Sequence, residues 1–118
     1  VTVRDFVGNF YRPPVRAKGY DTFGPVGPTL VTPDEIPDAA HLELRAYVNG
    51  ELRQKGNTAS LIRPIPELIE YISQIMTLEE GDMIWTGTSG STPQLKAGDV
   101  TEIEIAGIDT LSNPVVSA

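Results

Sequence analysis

The sequence predicts a β-rich α+β fold, a roll or distorted barrel carrying one main helix at about 65–76, in a single domain spanning 1–118. Three observations lead there. "LELRAYVNGELRQKG" alternates apolar and polar residues on both sides of Asn49-Gly50, the pair favoured in a two-residue type I′ hairpin. "IPELIEYISQIM" places Ile65, Leu68, Ile69, Ile72, Ile75 and Met76 on one face at spacings of three and four, the helix period. Several short strand-like runs follow, separated by glycine-rich turns.

Taken in chain order, residues 2–11 are mixed, and Pro13-Pro14 bars a helix from continuing past them. Residues 19–40 hold four prolines and read as an extended, turn-rich loop in which "TLV" at 29–31 is the best strand candidate. The hairpin comes next, with Leu42, Leu44, Ala46 and Val48 on one side of its first strand. Pro64 and Pro66 stand at the first turn of the helix, where a missing N–H costs no hydrogen bond, and the apolar stripe is expected to be core. "MIWTGT" at 83–88 reads as a strand, "SGSTPQLKAGD" as a polar loop, and "VTEIEIAGI" and "TLSNPVV" as two closing strands.

Composition narrows the function. A length of 118 residues, 40% hydrophobic and 21% charged, is that of an ordinary globular domain. No apolar run is long enough for a membrane helix, and the opening residues lack the apolar core of a signal peptide, so the expectation is a cytoplasmic protein without a membrane partner. With no cysteine, the chain has no disulfide framework, thiolate metal site or cysteine nucleophile. The net charge is −7, yet residues 1–18 carry Arg4, Arg12, Arg16 and Lys18 against Asp5 alone. That distribution argues against nucleic acid, whose backbone needs a broad cationic face, and suits a small anionic ligand.

Few residues can carry chemistry. Lys18, followed by Gly19 and flanked by tight turns, could neutralise a developing oxyanion from a rigid backbone. "TGTSGST" at 86–92 offers hydroxyls and backbone N–H groups to a carboxylate or phosphate, although it lacks the pattern of a P-loop. His41, the only histidine, sits where a loop meets a strand and reads as a surface or capping residue. Glu102 and Glu104 share a strand face, which suits a hard cation in principle but reads first as a solvated face opposite Ile103 and Ile105.

In this order, "VTVRDF", "YRPPVRAKGYDTFGPVGP", "VTPDEIPD", "LELRAYVNGELRQKGNTASLI", "ELIEYISQIMTLEEGDMIWTGT", "LKAGDV" and "IEIAGIDTLSNPVV" resemble the fumarylacetoacetate hydrolase superfamily. "NFYRPPVRAK", together with Val7, is similar to the branch that serves homoprotocatechuate (4-hydroxyphenylacetate) breakdown. The resemblance implies the C-terminal part of a fumarylacetoacetase-like catalytic domain with a mixed β-roll. It implies a metal-dependent decarboxylase and isomerase acting on 5-oxopent-3-ene-1,2,5-tricarboxylate and 2-hydroxyhepta-2,4-diene-1,7-dioate. Acylpyruvate hydrolysis is the neighbouring alternative, and a non-catalytic binding or assembly domain is the other.

The implied cofactor is Mg²⁺, or Mn²⁺ or Ca²⁺, and the implied partners are a small 2-oxo-carboxylate substrate and further copies of the same chain in a homodimer or larger assembly. By the same resemblance Lys18 is the catalytic cation and binds substrate oxygen, Thr88 holds the substrate carboxylate, and Arg4 lies beside the metal region. Arg12 is a candidate for the distal carboxylate, since arginine suits two-point carboxylate recognition. The family's metal ligands, a Glu-x-Glu pair and an aspartate, align ahead of Val1, so no metal ligand is expected among these residues and the 118-residue chain alone is expected to be inactive. Gly87-Thr88-Ser89 stands where the family usually has Gly-Thr-Pro.

Overall fold

A computed structural model describes residues 15–36 and 38–117. Its centre is a four-stranded antiparallel sheet built from β1 (Glu43–Val48), β2 (Glu51–Asn57), β3 (Val100–Ile105) and β4 (Asp109–Pro114). The spatial order is β2-β1-β3-β4, so β2 and β4 form the edges of an open sheet and no barrel closes. Among the described residues two α-helices accompany it, the single turn α1 (Val15–Lys18) and the longer α2 (Ile65–Ser73).

The β1–β2 hairpin follows directly from its turn residues. Asn49 and Gly50 adopt φ of 53° and 77°, the two positive values a type I′ turn demands. Asn49 also fastens this turn to the distant start of β3. Its side chain accepts from the Val100 N–H at 2.9 Å and donates to the Asp99 carboxylate at 2.9 Å, while its backbone N–H donates to the Val100 carbonyl at 2.9 Å. Asp99 is only 5% exposed and also accepts from the Lys96 N–H at 2.9 Å. This is how a buried carboxylate is tolerated: each oxygen has a donor.

Register gives the sheet two unlike faces. Leu44 pairs with Ile105 and Ala46 with Ile103, and Ile103 pairs in turn with Leu111, making one face apolar. Glu43, Arg45, Tyr47, Glu102 and Glu104 point the other way. There the Lys55 ammonium meets Glu43 at 2.8 Å, the Arg45 Nε donates to Glu43 at 2.7 Å, and the Tyr47 hydroxyl donates to Glu104 at 2.9 Å. Glu104 thus belongs to a cross-strand polar network, the solvated face that the sequence suggested for the Glu102/Glu104 pair.

Three sequence expectations need correction. Residues 29–31 and 83–88 lie outside any strand. In the first, the Thr29 hydroxyl bonds the Asp109 carboxylate at 2.5 Å, so a side chain, and not a ladder, attaches the segment to β4. In the second, Gly87 at φ 114° breaks the extended run. The third concerns the helix, which ends at Ser73 and leaves Ile75 and Met76 in the turn beyond it. Its stripe is not core: Ile65, Leu68 and Ile72 are half-buried, and Ile69, Ile75 and Met76 are exposed, Ile75 at 70%.

Candidate functional site

Lys18 is the last residue of α1. The turn behind it is tight. The Gly19 N–H donates to the Val15 carbonyl at 2.6 Å, and a Cβ on Gly19 would stand 2.6 Å from that same oxygen. Only glycine leaves room there. Ala17, at 2% exposed, is the one buried apolar residue among those described, and the exposed Lys18 follows it. After Gly19 the chain turns again, with the Tyr20 and Phe23 rings 5.3 Å apart. Lys18 is therefore exposed at the end of α1, next to the close Gly19–Val15 contact. Arg4 and Arg12 lie outside the described residues.

Thr88 occupies an exposed loop between α2 and β3. Gly87 and Gly90, at φ of 114° and 70°, give that loop its bends. It is anchored on edge strand β2. The Gln54 side-chain amide donates to the Ser89 carbonyl, and a Cβ on Gly56 would meet the Ser89 hydroxyl oxygen at 2.6 Å. Gln54 and Gly56 pair with Ala46 and Leu44, so the loop rests on the apolar side of the sheet. Sequence reasoning passed over both residues. A glycine inside a strand pattern is nevertheless a known sign of close backbone approach, and Gly56 carries that signal.

The same side of the sheet receives residues 27–31 at its other edge. Between them and Ile103, Ile105 and Leu111 lies an apolar cavity of about 260 Å³. Neither Lys18 nor Thr88 lines it. Of the sequence-predicted site residues, Lys18 and Thr88 are the two that fall within the described residues, and both are exposed.

Several other titratable groups have local partners. His41 Nδ1 lies 2.6 Å from Asp38, at the surface, and this hydrogen bond, helped by the Ala40 N–H, holds the Asp38 carboxyl below its ordinary range. Hydrogen bonds from Lys55 and then Arg45 do the same for Glu43. Among the described residues no three His, Cys, Asp or Glu side chains gather closely enough to hold a metal ion. The donor set for a divalent metal is thus not one that these residues fit.

The open antiparallel sheet with its α2 helix and two glycine-bent turns defines a β-rich α+β module that presents a lysine and a hydroxyl-bearing loop. Comparison with known proteins identifies the module. Residues 1–116 match the family described as fumarylacetoacetate (FAA) hydrolase C-terminal, and the chain belongs to that family. It is 46% identical over 114 residues to the 4-hydroxyphenylacetate degradation bifunctional isomerase/decarboxylase of Salmonella dublin, covering 97% of this chain and 27% of that protein.

Two solved structures extend the comparison. The 2-hydroxyhepta-2,4-diene-1,7-dioate isomerase from Mycobacterium marinum superposes with a TM-score of 0.80 at 48% identity, covering 86% of this chain and 39% of that one. The maleylpyruvate hydrolase from Sphingobium sp. SYK-6, in complex with manganese(II) and pyruvate, gives 0.80 at 42% identity, covering 82% and 37%. The chain therefore spans under half the length of these relatives.

Proposed function

We propose that this chain forms the substrate-binding part of a metal-dependent decarboxylase and isomerase of 2-oxo-diene di- and tricarboxylates in aromatic catabolism. The observation that carries this reading is the 46% identity over nearly the whole chain to the bifunctional isomerase/decarboxylase. The substrates by this reading are 5-oxopent-3-ene-1,2,5-tricarboxylate and 2-hydroxyhepta-2,4-diene-1,7-dioate. The metal, Mg²⁺ or Mn²⁺, takes its ligands from outside the described residues, and the relative crystallised with manganese supports a divalent ion. The working enzyme is a cytoplasmic homodimer or larger assembly.

The chain's own residues have definable tasks. Thr88 and its loop N–H groups hold the substrate carboxylate. Arg12 takes the distal carboxylate by two parallel hydrogen bonds. Arg4 stands beside the metal region. In decarboxylation the C–C bond to the departing carboxylate breaks, CO₂ leaves, and the electron pair spreads into a dienolate that is later protonated on carbon. In isomerisation a proton leaves one carbon and returns to another through the same kind of dienolate. The Lys18 ammonium lowers the barrier in both cases by stabilising the oxyanion as its charge develops.

The test is to offer both substrates, with Mg²⁺ or Mn²⁺, to the intact gene product and to the 118-residue chain alone. CO₂ release and diene isomerisation by the former, with none by the latter, are expected. An intact product that performs neither reaction overturns the reading. A second reading, hydrolysis of an acylpyruvate C–C bond, is favoured by the likeness to maleylpyruvate hydrolase. It yields two carboxylic acids in place of CO₂, so product analysis separates the two.

A further inference from the structure

We infer that Gln54 and Gly56 are positioning residues, a seat on edge strand β2 that fixes the loop carrying Thr88 for carboxylate binding. The inference rests on the proposed role of Thr88 and extends it to two residues that do not themselves touch substrate. Two independent features make the seat. The first is a vacancy: at Gly56 any Cβ would lie 2.6 Å from the Ser89 hydroxyl oxygen and 3.4 Å from its Cβ, so the loop reaches the strand only because residue 56 has no side chain. The second is directional: the Gln54 amide, two residues earlier and on the same face, donates to the Ser89 carbonyl.

Together they hold the residue next to Thr88 by its side chain and its backbone. The flanking glycines at 87 and 90 let the chain bend into this seat, but they would equally let it bend elsewhere. Conformational freedom in the loop has to be removed for Thr88 to meet a carboxylate in one geometry, and misplacement by about 1 Å can cost on the order of 100-fold in a site of this kind. Seating also ties the loop that carries Thr88 to a regular strand, and a binding group backed by a rigid element is held more accurately than one on a free loop.

The experiment uses NMR on the 118-residue chain with pyruvate, the simplest 2-oxo-carboxylate, as probe. Two quantities are read: hydrogen exchange of the amides of residues 86–92 without ligand, and the pyruvate-induced shift of the Thr88 amide. Wild type should show slowed exchange and a saturable shift. Gly56→Ala and Gln54→Met should speed the exchange and weaken pyruvate binding by about tenfold or more, with the amide shifts of β1 and β3 unchanged. Adding Ser89→Ala to Gly56→Ala removes the oxygen that clashes and should restore both readouts.

The positioning role is overturned if Gly56→Ala leaves exchange as in wild type, if it loosens the loop without weakening pyruvate, or if Ser89→Ala fails to rescue it. A variant whose β1 and β3 shifts collapse is replaced by Gln54→Met, which creates no clash. Slow exchange in wild type with no pyruvate response overturns the reading of Thr88 itself. The positioning role then falls with it, for a reason distinct from the others.

Discussion

At the scale of single residues, the Asn49–Asp99 clamp ties the hairpin turn to the start of β3. Asn49 does two jobs there, adopting positive φ and bonding Asp99 and Val100, and substitution separates them. Asn49→Gly keeps the backbone freedom and loses the side-chain bonds. Asn49→Ala loses both, and should cost roughly 1–3 kcal/mol for the unsatisfied groups and the strained turn. Urea denaturation should therefore rank stability as wild type, then Asn49→Gly, then Asn49→Ala. The Lys96 backbone N–H first, and the Asn49 amide second, hold the Asp99 carboxyl below its ordinary range. A depressed carboxylate adds stability above its unfolded pKa, and that stability is lost as pH falls through the folded value. Melting temperature should thus hold steady down to about pH 4, the ordinary aspartate value, and fall below it. The fall should be smaller in Asn49→Gly, where one of the depressing bonds is gone. Lys18 belongs to the same scale. In the intact gene product Lys18→Ala should lower kcat by about 100-fold or more, the usual loss when one oxyanion-stabilising group is removed. Gly19 and the α1 turn should still fold, so an unchanged kcat with normal circular dichroism removes Lys18 from the mechanism.

At the scale of elements, α2 carries a testable consequence of its exposure. Because Ile69, Ile75 and Met76 face solvent in this chain, replacing them with glutamine should leave its melting temperature within about 2 °C of wild type, whereas polar substitution in a core would cost far more. Self-association measured by sedimentation should weaken, since apolar surface is what drives it. A large loss of stability would show that the stripe is packed in solution. The helix also shows how far sequence can be read. Its period and its first-turn prolines are local, so the element and its apolar face were legible from residues 64–76. What covers that face is a question about distant residues, and the pattern cannot answer it. The β1–β2 hairpin was legible for the same local reason, through Asn49-Gly50 and alternation on both sides. Residues 29–31 and 83–88 were not, because a strand exists only when a neighbour supplies its ladder, and composition alone promised one. Likewise the links from Gln54 to Ser89 and from Asn49 to Asp99 join residues far apart in sequence, and only Gly56, a glycine inside a strand, hinted at either.

At the scale of the whole molecule, exposed area is the decisive quantity. The chain exposes 9717 Å². A compact monomer of 12.8 kDa would expose only about 6,300 Å². The excess, about 3,400 Å² on this one chain, is at least as large as the roughly 1,000–2,500 Å² per partner that permanent protein interfaces bury. Leu30, Ile62, Ile75, Trp85 and other large apolar side chains on several segments contribute to the exposed area. Denaturation reads this directly, because the urea m-value scales with the surface that unfolding exposes. Taking the unfolded chain at about 18,600 Å², unfolding of this structure uncovers about 30% less surface than unfolding of a compact domain of equal mass. The 118-residue chain, studied at concentrations where it sediments as a monomer, should accordingly give an m-value about 30% below that norm and bind an apolar dye such as anilinonaphthalene sulfonate in its native state. Within the intact gene product or a stable assembly, the same residues should lose most of that dye binding, because their apolar faces would be covered. A monomeric chain with a full-sized m-value and no dye binding would mean that it closes on itself in solution, and the open sheet described here would not be its solution fold.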